Sequence, residues 1–129
     1  MYGPIIFSAY NISYREFTVG QYITGFEEFL INMGDNFSLT DGIFTAPRNG
    51  IYEFSASIYH ERHVGEPHHL AVVRNSEQVV KFQDTQYATL TFNWIMKLQR
   101  GDKIQLQVES GLFYCDNLQA NCIFNGKIL

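Results

Sequence analysis

Within the segment from Ile51 to His60, apolar and polar residues alternate one for one between Tyr52 and Ile58. Tyr52, Phe54, Ala56 and Ile58 fall on one side, and Glu53, Ser55 and Ser57 on the other. A period of two is the mark of a strand with one buried face. The pattern recurs downstream. Leu90, Phe92, Trp94 and Met96 alternate with Thr89, Thr91, Asn93 and Lys97 inside a segment at 87–98, where only Ile95 puts an apolar side chain on the polar face. Ile104, Leu106 and Val108 alternate with Lys103, Gln105 and Gln107. Shorter apolar segments at 5–10, 43–46, 70–74, 79–82 and 122–129 complete a series of strands. Turn chemistry divides them: Gly34-Asp35-Asn36, Asp41-Gly42, Pro47-Arg48-Asn49-Gly50, Asn75-Ser76-Glu77 and Arg100-Gly101-Asp102. One segment dissents, because Phe26, Phe29, Leu30 and Met33 fall at helical spacing. Gly25 and Gly34 leave room for little more than two turns, too few for an isolated helix, so a strand is expected over 26–32. Many short strands and no convincing helix predict an all-β sandwich or jelly roll. No repeat, linker or low-complexity stretch interrupts the chain, and residues 1–129 read as one domain.

Composition sharpens this picture in one respect. Aromatic residues make up 16% and charged residues 17% of the chain, a balance that argues against disorder. It fits either an aromatic-rich core or apolar surface covered by an oligomer. The formal net charge is −4, and the Lys and Arg residues form no run, which argues against a nucleic-acid partner. No apolar stretch approaches the roughly 18 residues of a membrane span. No secretory leader is visible at the start.

The segment at 42–54 carries more than turns. Gly42, Phe44, Pro47, Gly50, Tyr52 and Phe54 fill the pattern G-x-F-x-x-P-x-x-G-x-Y-x-F. It resembles the head domain of complement component 1q, a branch of the tumour-necrosis-factor-like jelly rolls. Further landmarks fall in family order. Gly3 with Phe7-Ser8-Ala9 resembles the opening strand, with Ile6 where Ala is usual. Residues 70–80 resemble the central hairpin, with Asn75-Ser76 in place of Asn-Gly. Leu98 with Gly101-Asp102-Lys103-Ile104 resembles L-x-x-G-D-x-V, and Phe124, Gly126, Ile128 and Leu129 resemble the closing F-x-G-x-L-L. The resemblance implies a ten-stranded jelly roll that assembles as a compact homotrimer and works as a secreted, extracellular recognition module rather than an enzyme. Its expected ligands are microbial surface glycans or lipopolysaccharide. Alternatives are a cell-surface protein receptor, or a structural sandwich without a ligand. No Gly-X-Y repeat is present, so the chain reads as a head without a collagen stalk.

Candidate sites are few. All four histidines, His60, His63, His68 and His69, fall within ten residues. Imidazole ligates metals and titrates near neutrality, but neither spacing here matches a zinc signature. Gly65 and Pro67 suggest an exposed loop, where these side chains, with Tyr114, become candidates for ligand contact. Tyr52, Phe54, Phe92, Trp94, Phe113 and Phe124 are expected in the core or an oligomer interface, because they follow the period of two. Cys115 and Cys122 either bridge a small loop before the last strand or lie as two buried thiols. Asp116 and Asn117 are the calcium candidates, since calcium takes oxygen ligands and some family members bind it through acids of this loop. One carboxylate per copy suffices only if three copies pool theirs, and no cofactor is required. Asn11-Ile12-Ser13 and Asn36-Phe37-Ser38 fit the N-glycosylation pattern, with Asn11 and Asn36 as acceptors. Catalytic signatures such as G-x-S-x-G or H-E-x-x-H are absent.

Overall fold

The computed structural model describes residues 3–60, 67–84, 89–116 and 121–129. Two five-stranded antiparallel sheets face each other. The first runs β3 (Glu28–Met33), β1 (Ile6–Tyr10), β12 (Ile123–Ile128), β6 (Gly50–Tyr59) and β9 (Thr89–Leu98). The second runs β4 (Phe37–Ser38), β5 (Ile43–Thr45), β10 (Lys103–Ser110), β7 (His68–Arg74) and β8 (Glu77–Asp84). A two-stranded ribbon of β11 (Phe113–Cys115) and β2 (Arg15–Phe17) closes one end. The ten sandwich strands agree with the expected jelly roll. The four shortest strands, β2, β4, β5 and β11, are too brief to carry a period.

The inward halves of the alternating strands interdigitate as aromatic rings. Phe7 of the first sheet stacks on Phe37 of the second at 4.3 Å, and Phe44 meets Tyr52 and Phe54 edge-on at 5.5 Å. Phe124 lies fully buried among them. Gly126 follows on the same face because nothing larger fits: a Cβ there would stand 2.5 Å from the Phe7 ring and 2.8 Å from that of Phe54. Gly42 is held by its backbone instead. Its φ is +68°, and a Cβ would come within 2.2 Å of the Ile23 carbonyl oxygen. Tyr52 needs a polar partner for its buried hydroxyl, and donates 2.7 Å to the Arg48 carbonyl at the Pro47 corner.

The dissenting segment is a strand, shifted to 28–33. Its helical spacing comes from a bulge. Opposite β1, Ser8 pairs with Ile31 but Ala9 pairs with Phe29, so Leu30 has no partner and is exposed. The extra residue slips the period of two by one position. Phe29 packs on the core while Ile31 and Met33 turn outward.

The hairpins at the Gly101 end are bolted together. Asn75 and Ser76 take positive φ, as a two-residue hairpin turn requires. The Asn75 side chain donates to Asp102 Oδ1 at 2.9 Å and accepts from the Lys103 amide at 2.9 Å. Asp102 Oδ2 accepts from the Gln99 amide at 2.8 Å. The Asn75 side chain, then the Gln99 amide, hold the Asp102 carboxyl below its ordinary value. A depressed folded pKa stabilises the fold above the unfolded aspartate pKa of about 3.9, and that share is lost as pH falls through the lower folded value. Urea melts of Asp102→Ala should therefore lie below wild type at pH 7 and converge toward it as the pH falls past the ordinary aspartate range.

Candidate functional site

The two sheets treat their outer faces differently. On the second sheet, Ala71 and Val73 of β7 point outward yet are buried, because polar side chains roof them. Gln78 donates to Glu109 at 2.6 Å and to Gln107 at 3.2 Å, and Lys81 pairs with Glu109 at 3.0 Å. The first sheet has no such roof. Its outer face carries Ile31, Met33, Ile51 and Ile95 at 38%, 45%, 51% and 61% exposure. Between these apolar margins runs a polar line across three strands. Ser8 donates to Asn125 Oδ1, and Asn125 Nδ2 donates to Ser55 at 3.0 Å. Lys127 meets Glu53 at 3.7 Å. A shallow concavity of about 270 Å³ opens over this line, bounded by Ile6, Ile31 and Glu53. The face has a hydrogen-bonded centre and greasy edges, which suits contact with another protein surface.

The ribbon end holds the sequence-derived site residues. His60 and His68 are not exposed loop residues, as their neighbours Gly65 and Pro67 suggest. His60 follows the end of β6 and bridges Phe113, while His68 begins β7, and both are buried. Their rings stack at 4.2 Å, and Phe113 meets each edge-on at 5.6 Å. His60 Nε2 lies 3.0 Å from Asp84 Oδ2; an ionised carboxylate only accepts, so this nitrogen carries the hydrogen. Parallel imidazole faces pack, whereas metal ligation needs nitrogens converging on a point. Among the described residues, no group of three or more His, Cys, Asp or Glu is arranged to hold a metal ion. His69 is half-buried and reaches Gln83 at 2.8 Å. His63 lies outside the described residues.

Tyr114, half-buried on β11, forms an aromatic group with Tyr59 at 4.6 Å and Tyr14 at 5.9 Å. The Tyr14 hydroxyl donates to Glu16. Cys115 and Cys122 form a disulfide, with Cα atoms 5.3 Å apart. Asp116 is half-buried beside it, and Asn117 lies outside the described residues. Asn36 is half-buried before β4.

The Asn11 sequon is structural. Asn11 is 2% exposed; its Oδ1 accepts from the Cys122 amide at 2.9 Å and its Nδ2 donates to the Ser13 carbonyl at 3.1 Å. Its own carbonyl accepts from Asn121 Nδ2 at 2.8 Å. A glycan on Nδ2 has no room there, which corrects the reading of Asn11 as an acceptor. The side chain instead stands in for backbone, tying the start of the chain to the Cys122 end of the disulfide. Asn11→Ala strands a buried amide donor and should cost about 2 kcal/mol in chemical denaturation, while Asn36→Ala should change stability by under about 0.5 kcal/mol.

The match of known proteins follows the same lines. The family pattern of the C1q domain covers residues 6–129. Protein HP-25 homolog 2 of Bos taurus is 31% identical over 85 residues, 64% of this chain and 38% of that protein, so the chain spans well under half the length of this relative. Among solved structures, the globular domain of zebrafish complement 1qA superposes with a TM-score of 0.76 at 19% identity, covering 98% of both chains. The Eiger TNF of S. frugiperda reaches 0.76 at 10% identity, covering 99% of this chain and 94% of that one. Murine APRIL reaches 0.71 at 12%, covering 98% and 100%. At those identities the likeness is one of fold. The pattern of Gly42, Phe44, Pro47, Gly50, Tyr52 and Phe54, the two five-stranded sheets and the match across 6–129 agree: the chain belongs to the C1q domain family.

Proposed function

We propose that the chain is a secreted recognition module that packs as a homotrimer through the outer face of the first sheet. Its ribbon end reads glycans or lipopolysaccharide on microbial surfaces. Domains of this family are typically secreted trimeric recognition or ligand modules. The observation that carries the assembly is the contrast between faces. One sheet roofs Ala71 and Val73 with Gln78, Lys81 and Glu109 and exposes Val79 and Val80 at its edge strand, while the other leaves Ile31, Met33, Ile51 and Ile95 open across its face. Three copies about one axis bury such a face and raise weak single-site binding by avidity.

At the ribbon end, Tyr114 and His69 offer partly exposed aromatic and hydrogen-bonding surface. The stacked His60–His68 pair and the disulfide stiffen what lies beneath. Pre-ordered side chains lower the entropy cost of binding.

Two measurements test this reading. Light scattering at micromolar concentration should give a three-chain mass; a single-chain mass overturns the assembly. An array of microbial glycans and lipopolysaccharides, probed with and without calcium, should show binding weakened by Tyr114→Ala. An array blank in both conditions overturns the microbial reading in favour of a protein receptor.

A further inference from the structure

Two segments fit the N-glycosylation pattern, and the fold treats them in opposite ways. Asn11 spends its buried side chain on the Cys122 amide and the Ser13 carbonyl. Asn36 stands at the surface, just past a tight reversal between β3 and β4. Gly34 and Asp35 make that reversal with φ of +98° and +55°, and Asp35 is exposed.

The backbone of Asn36 is anchored and its side chain is not. Its carbonyl accepts from the Thr45 amide at 2.9 Å, and Phe37 beside it is buried against Phe7. Among the described residues, none hydrogen-bonds the Asn36 side chain, and no buried polar side-chain atom lacks a partner, so Nδ2 reaches solvent. Gly34 keeps this nitrogen clear, since a Cβ at that position would stand 2.7 Å from it.

There is room beyond the nitrogen. An open hollow of about 320 Å³ lies beside it, bordered by Asp35, Asp41, Ile43, Thr45 and Lys103. Carboxylates, a hydroxyl and an ammonium answer sugar hydroxyls, and the half-buried Ile43 offers an apolar patch to a ring face. β4 is the end strand of its sheet and pairs with β5 alone. Bulk on its other side therefore displaces no described strand, and it screens an edge that could pair with another chain.

We propose that Asn36 carries an N-linked oligosaccharide, with its first sugars over this hollow. The donor is a polyprenyl-pyrophosphate oligosaccharide. Nδ2 bonds to C1 of the sugar, the C1–O bond breaks, its electron pair leaves on the pyrophosphate, and one amide proton passes to a base of the transferase. Ser38 supplies the hydroxyl that the pattern needs two residues on. Attachment to the emerging chain precedes folding, so the fold decides which product survives. A sugar on Asn11 blocks closure onto the Cys122 amide, whereas a sugar on Asn36 breaks no hydrogen bond. The inference rests on the reading of the chain as secreted, because that route supplies the donor.

The test expresses the whole chain in cultured human cells behind a grafted leader peptide. Peptide N-glycosidase in heavy-oxygen water turns each released asparagine into labelled aspartate, which mass spectrometry locates. Chain from the medium and from internal membranes is read alike. Label is expected on Asn36, with none on Asn11 in the medium. Asn36→Gln and Ser38→Ala should each abolish the gel shift that the glycosidase produces, and Ser38→Thr should keep it. Ser13→Ala removes the Asn11 pattern while leaving the Asn11 side chain in place, and should keep the full shift. Three results each overturn the proposal: Asn36 unlabelled in both fractions, label on Asn11 in the medium, or a shift that survives Asn36→Gln. The grafted leader makes this test independent of the secretion reading. That reading alone falls if antibody finds the native protein inside its cells of origin and not outside them.

Discussion

Phe124→Ala should remove about 4 kcal/mol of folding stability, the largest loss expected from any single truncation here. Phe124 is fully buried, and its ring touches both sheets. It meets Phe7 at 5.3 Å and Phe37 at 5.5 Å, both edge-on, and lies within 6.3 Å of Phe26, Phe54 and Trp94. Its neighbours are themselves locked by stacking, as Phe7 on Phe37 and Phe54 on Trp94 show, so they cannot collapse into the gap. The full cavity cost then applies, added to the transfer cost of the lost ring. Against a total stability of about 5–15 kcal/mol, most of the margin goes. The expected readout is a denaturant midpoint that falls at constant slope, with a melting temperature lower by about 15 °C. Leu30→Ala is the matched control. Leu30 is the unpaired bulge residue, 68% exposed, and its truncation should cost under about 0.5 kcal/mol. A Phe124→Ala loss below about 2 kcal/mol would mean that the ring cluster closes on itself after all.

The two residues also show where sequence and structure part. Phe124, Tyr52, Phe54 and Phe92 were legible because a regular strand exposes its buried side every second position. Leu30 was not, because a bulge changes the period without changing the composition. Ile95 stood out in sequence as the one apolar residue in a polar register, and it sits where the open face is most exposed. The histidines misled for a different reason. Their clustering suggests a loop, but His60 and His68 are pinned by Phe113, which arrives from β11 some 45 residues later in the chain. Asn11 is the same case at longer range: the sequon is local, while the amide that claims its side chain belongs to Cys122, at a separation of 111 residues.

Ile95→Lys should convert the proposed trimer to single chains while leaving the fold intact. Ile95 lies on the outer face of β9 and is 61% exposed in the single chain, so no intramolecular packing depends on it. Its cross-strand partner on β6 is Glu53, which makes a lysine the kinder charge: in a lone chain the new ammonium faces a carboxylate rather than another cation. In the assembly the balance reverses. In the lone chain water solvates the added cation beside the Glu53 carboxylate, which Lys127 already approaches at 3.7 Å, and a packed interface strips that water away. Three copies are buried together, and each buried charge left uncompensated costs several kcal/mol. Light scattering should therefore give a mass near the 14.9 kDa of one chain, with an unchanged far-ultraviolet spectrum. Val79→Lys provides the comparison, because Val79 is 41% exposed but belongs to β8 at the edge of the other sheet, and that variant should keep the three-chain mass. If Ile95→Lys also keeps it, the open face is not the interface, and the exposed isoleucines must serve some other contact.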